Sequence, residues 1–270
     1  MKKRILSILA IILISIIAVV ILITNVKKES NGVNAYSKNE VMDNLNEAIK
    51  NNEKYEEANK KKSPVLKNLG IDIKPLDKET NLAGDLIFSK ALVYDDGRVS
   101  GDKVFVDFGA KDKYRTDSIG NVEYWYHVPL NTKIRAPIGG EVKVDYFEHT
   151  KDWGVNIHTQ DSEVIVSFEH LVNVLVKDGD HIAAEDFIGE AAPRNTFNNK
   201  IAMTELAVWR GGKNITKYCP YDYLDESLKP IYKEKLEKVA SEWEEFIGKE
   251  VYQQENWVAP GCIVRSIKET

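Results

Sequence analysis

Five histidines, at positions 127, 149, 158, 170 and 181, are the side chains of this 270-residue chain best suited to bind a metal or move a proton. Their spacing offers no local metal site, since no two lie two residues apart and none is followed four residues later by aspartate. His181 and Glu185 have an i, i+4 spacing, but they fall in a Gly179-Asp180 turn strand and read as surface chemistry. Strand alternation offers a second route. Glu123, Trp125 and His127 share one face of an extended segment, as do Ile201, Met203 and Glu205. If both faces line one cleft, Glu123, His127, His170 and Glu205 converge, and two imidazoles with two carboxylates form a metal set. A buried glutamate–histidine ion pair accounts for the same residues without a metal, and is the preferred expectation. Cys219 and Cys262 are too few for a four-cysteine zinc module; they either pair, closing a loop of about forty residues, or stay as two buried thiols.

The elements that must position these groups follow from composition and pattern. The chain holds 37 basic and 42 acidic residues, and beyond Thr24 the 42 acidic groups face only 34 basic ones. Nucleic-acid binding needs a basic face, so that class is excluded. At 43% hydrophobic and 29% charged residues, the body is not a disordered chain. Ile5 to Thr24 carries no charge, and as a helix it would span roughly 30 Å, the thickness of a bilayer's hydrocarbon core. No small-x-small cleavage site ends it, so residues 1–24 are expected to be a retained transmembrane anchor. Lys2, Lys3 and Arg4 place the amino terminus in the cytoplasm and the rest of the chain outside the membrane. Residues 25–66 are rich in Lys, Glu and Asn, with a Ser37–Glu40 capping box and apolar residues at helical spacing, which predicts a charged helical stalk.

Between residues 67 and 227 come short β-rich runs at 86–88, 91–94, 104–108, 142–144, 154–157, 164–168, 172–176 and 203–208, with no helix among them. That texture predicts an all-β barrel or sandwich, with residues 67–120 adding strands to it. Residues 228–270 hold a helix and a tail. Tyr232, Leu236, Val239, Trp243, Phe246 and Ile247 form its apolar stripe, Pro230 starts it and Gly248 ends it.

Four motifs carry a family resemblance. They are Val128-Pro129-Leu130-Asn131-Thr132 running on to Ala136-Pro137-Ile138-Gly139-Gly140, then Phe168-Glu169-His170-Leu171, then Val176-Lys177-Asp178-Gly179-Asp180 with Ile188-Gly189, and last Thr204-Glu205. In this order, residues 126–224 resemble the β-core of the lysostaphin/LytM-type zinc endopeptidases, the duplicated-hybrid-motif fold. The resemblance implies a tetrahedral zinc held by a His-x-x-x-Asp and by the second histidine of a His-x-His, with two further histidines attending the water. Placed on that pattern, this sequence has Asn121 and Trp125 for the first pair and Ile201 and Met203 for the second. Asn, Trp and Ile are no useful zinc ligands and Met is too soft, so His170 alone remains as a catalytic candidate.

The expectation is therefore a catalytically degenerate, membrane-anchored extracytoplasmic LytM-like domain with no metal or other cofactor, serving to bind or scaffold an envelope protein or cell-wall partner. Its groove would be lined by Trp125, Tyr126, His127, Phe168, His170, Met203, Glu205 and Trp209. The alternative is a zinc-dependent cell-wall endopeptidase with a remodelled ligand set of Glu123, His127, His170 and Glu205. A phosphotransferase domain would need paired histidines, and a biotin or lipoate carrier a lysine in a hairpin flanked by methionine. Neither is present.

Overall fold

The computed structural model describes residues 63–93, 102–111, 120–195 and 200–269. The apolar span 5–24 and the stalk as far as residue 62 lie outside the described residues. Among the described residues no helix is long and apolar enough to cross a membrane.

The β-rich texture folds as two sheets. β1 (Ile73–Asp77), β2 (Leu82–Gly84) and β3 (Leu86–Ile87) form a small antiparallel meander. The main sheet, eleven-stranded, comprises β4 (Phe105–Val106), β5 (Tyr124–Val128), β6 (Lys133–Arg135), β7 (Gly140–Phe147), β8 (Asp152–His158), β9 (Val164–Val172), β10 (His181–Ile182), β11 (Phe187–Pro193), β12 (Ala202–Arg210), β13 (Ile215–Tyr218) and β14 (Ser266–Glu269). Its main path runs β10-β7-β8-β9-β11-β12-β13-β14, with β5 on β12 and β6 on β11. Alternation along the strands sorts the faces. Val142, Val155, Ile157, Val166, Phe168, Leu206 and Val208 turn inward to the core, while Lys143, Asn156, Ser167, Glu205 and Lys217 belong to the other face.

The single α-helix among the described residues, α1 (Lys229–Ile247), runs as its stripe requires: Tyr232, Leu236, Val239 and Trp243 are buried, and Gly248 ends it in a left-handed conformation at φ 73°. Trp243 meets Phe88 edge-on with ring centroids 5.1 Å apart and donates its indole N–H to the carbonyl of Asp102 at 2.6 Å. The meander β1–β3 is tied to the helix by Leu76, whose N–H donates to Glu242. The two cysteines form a disulfide, Cα to Cα 6.0 Å, joining the residue that follows β13 to the tail before β14.

Several expectations are corrected. The body starts before residue 67, because Leu66 is fully buried and bridges in parallel to Leu224. Residues 90–92 make a 3-10 turn capped by the Ser89 hydroxyl, not a strand. β9 stops at Val172: Asn173 turns to φ 47°, its side chain donates to Glu190, and Leu175 is left 62% exposed. Among the described residues before 120, only β4 joins the main sheet as a strand, where Phe105 pairs with Tyr126.

Candidate functional site

β12 is the axis of the site. On one side Glu205 lies opposite Trp125 of β5, on the other opposite Glu169 of β9. Alternation should send Glu169 and His170 to opposite faces, but a β-bulge intervenes. Val155 pairs with Phe168 and Trp153 with Leu171, so Gly154 alone faces both Glu169 and His170. His170 takes φ 60°, and its ring turns back to the Glu205 side. A side chain at position 154 would strike the Phe147 ring at 2.9 Å, so glycine is what lets Phe147 lie across the bulge, its ring 6.5 Å from that of His170.

Six charged or titratable side chains meet here. Asp152 holds His170 Nδ1 at 2.7 Å, and Glu205 lies 3.4 Å from His170 Nε2. The Glu205 carboxyl in turn hydrogen-bonds Glu123, whose Oε1 receives the Lys217 ammonium at 2.6 Å. Glu169 adjoins this chain, one donor atom from each of Glu169, His170 and Glu205 lying within 4.8 Å of one another. The side chains of Asp152, His170, Glu205, Glu123 and Lys217 are each at most 11% exposed.

Burial and neighbours fix the charges. Burial alone would raise Glu123, but the hydrogen bond from Glu205 and the Lys217 ammonium hold it down at about 2. Glu205 goes the other way: burial and the adjoining Glu123 push its carboxyl well above the usual range, so it is the partner that keeps the shared proton. Burial and the Glu123 charge push Glu169 up to about 7. Burial would lower His170, yet its hydrogen bonds to Asp152 and Glu205 raise it to about 9, which makes it an imidazolium at neutral pH. The Lys217 ammonium is likewise favoured: burial opposes it and Glu123 outweighs that. Two cations thus face Asp152, Glu123 and a partly ionised Glu169, and the cluster is close to electrically balanced by its own side chains.

The other expected site residues go elsewhere. His127, fully buried on β5, pairs across with Met203, two residues along β12 from Glu205, and burial lowers its imidazole to about 4, so it is neutral. It does not complete the expected four-residue set. Phe168 and Tyr126 cannot line a groove, being fully buried in the core: Phe168 lies over Gly70 and Tyr126 stacks on Phe105. Trp125 is half-buried against the small cluster of Val106 and Ala110. His181 is exposed beside the Gly179 carbonyl, and Glu185 is engaged by Asn68.

The positions that the resemblance assigns to zinc are filled by structural residues. Asn121 is buried and spends its amide donors on the carbonyls of Asp107 and Glu123. Ile201 is part of the core, and Met203 is 3% exposed. This donor set does not fit a tetrahedral zinc. Sequence reasoning missed Asp152, Glu169 and Lys217. A lone lysine in a short strand carries no signal, and Glu169 was hidden by the alternation rule that the bulge breaks.

No protein family matches the sequence, and no curated protein matches it. Among solved structures, the chain is similar to lysostaphin, at 13% identity over 39% of this chain with a TM-score of 0.34. It spans less than half of that protein, 42%. It is also similar to the catalytic domain of the prophage-encoded M23 protein EnpA from Enterococcus faecalis (20% identity, 39% of this chain and 78% of that one, TM-score 0.33). LytU is a third (22% identity, 40% and 74%, TM-score 0.34).

Proposed function

We propose that this chain is a membrane-anchored, extracytoplasmic domain with a LytM-like β-core that binds a protein or cell-wall partner of the envelope and does not cleave it. The observation that carries this reading is the self-neutralised cluster. His170, the one histidine retained from the family's pattern, has both ring nitrogens committed to carboxylates, and as an imidazolium it is no general base. The apolar span 5–24 supports the anchor. Phe147 and Trp209, each half-buried, lie beside His170 and Lys217 of the cluster and supply the aromatic contact surface that a binding face uses.

The test has two arms on the full chain in membranes. Cross-bridged peptidoglycan incubated with the protein and added zinc should release no new amino groups. A photo-crosslinking residue at Phe147 or Trp209 should capture an envelope component, whereas one at Lys233 on the outer side of α1 should not. Zinc-dependent release that disappears in His170→Ala would overturn the reading in favour of the remodelled peptidase.

A further inference from the structure

The crowding of carboxylates at this site calls for a cation. Neighbouring strands are about 4.8 Å apart, and like charges directly opposite each other across a sheet are destabilising. Glu205 and Glu169 lie directly opposite each other on β12 and β9, and Glu123 reaches the same point from just before β5, so the three carboxyls cannot all ionise together: Glu205 keeps its proton and Glu169 is only partly charged. The cation present is not local in sequence. Lys217 stands on β13 opposite Trp209. Its ammonium lies 5.7 Å from the centre of the Trp209 ring and 2.6 Å from Glu123, with 11% of the side chain exposed. Trp209 is itself steadied by its N–H bond to Ser167. The lysine is therefore held at one place by its stem, an indole face and a carboxylate, as a bound ion would be.

We propose that Lys217 is a tethered cation that takes the electrostatic place of a divalent ion, and that its ammonium is what closes the Glu123–Glu205–Glu169–His170 cluster to metal. The inference rests on the reading that the family's zinc set is lost here. Its consequence is specific: without the ammonium, an arriving dication can displace the protons of His170 Nε2 and Glu205, and three carboxylates and an imidazole then form an oxygen-rich, one-nitrogen donor set of the kind that takes first-row divalent cations. A dication arriving while Lys217 is in place would meet a fixed positive charge a few ångströms away, in a setting far less screened than water.

Calorimetric titration of zinc chloride into the full chain tests this. Wild type should show no binding. Lys217→Met, which keeps the length and removes the charge, should take one equivalent at least ~100-fold more tightly. Adding His170→Ala to that variant should abolish the uptake. Lys217→Met binding no better than wild type, or stoichiometric zinc in wild type, overturns the proposal. A variant that folds only when zinc is supplied supports it. If the variant folds under neither condition, nitrogen-15 NMR of wild type decides: a slowly exchanging Lys217 ammonium signal upholds the tethered cation, and a fast-exchanging or neutral amine refutes it. Failure of Lys217→Met with an inactive wild type removes this inference alone. Zinc-dependent cleavage by wild type removes the functional reading with it.

Discussion

Raising the pH should weaken the fold through the cluster, and His170 sets the size of the effect. Its folded-state value of about 9 lies above the ordinary 6.5, because Asp152 and Glu205 stabilise the imidazolium. A cation whose pKa rises on folding contributes its full stability below the unfolded value. That contribution disappears as pH climbs through the folded value, here between 6.5 and about 9. At about 1.4 kcal/mol per pH unit, the gap corresponds to about 3 kcal/mol. Glu169 acts in the same direction: its carboxyl is raised from 4.5 to about 7, so the protonated form favours the fold below 4.5 and that advantage is lost by about pH 7. Glu169 is partly exposed, so water screens its share. Urea unfolding of the disulfide-intact chain, followed by tryptophan fluorescence from pH 5 to pH 9, measures the sum. The same series on His170→Gln isolates the imidazole. The stability difference between wild type and variant should shrink by about 3 kcal/mol between pH 6 and pH 9. A difference that is flat over that range, or that grows with pH, would refute the charged Asp152–His170–Glu205 arrangement.

Three further outcomes are expected. Cys219→Ser with Cys262→Ser should cost about 4 kcal/mol by the loop-closure relation for a separation of 43 residues, read as a lower urea midpoint; no shift would mean that the cross-link restrains nothing in the unfolded chain. Lys217→Met should destabilise by roughly 3–5 kcal/mol, since it strands the buried Glu123 carboxylate, and adding Glu123→Gln should recover part of that loss in a double-mutant cycle; strictly additive costs would deny the ion pair. Gly70→Ala should cost roughly 2–5 kcal/mol, because its φ of 83° disfavours a side chain and the new Cβ would sit 2.0 Å from the Phe168 ring; near-wild-type stability in the same urea assay would place that ring elsewhere.

Much of the architecture is written locally. The period-2 alternation around Val142–Val144, Gly154–Ile157 and Val164–Phe168 marks strands with one apolar face, and the stripe from Tyr232 to Trp243 with Gly248 after it marks the last helix. That Asn121, Trp125, Ile201 and Met203 would make a poor tetrahedral zinc set is visible from residue types alone.

The make-up of the site was not legible in the same way. Glu169 and His170 face one cluster only because Gly154 of the neighbouring strand opposes both, and a bulge belongs to a pair of strands, not to one. Lys217 reaches Glu123 across 94 residues of chain, a meeting set by β13 pairing with β12. Whether the two cysteines pair also depends on where β13 and the tail come together. The sequence by itself determined where the strands and the last helix run and which donor types are on hand for chemistry, because periodicity and residue type are local properties. Which charges meet, and which of them keep their protons, was decided by strand register and shared burial, which arise only when distant segments pack.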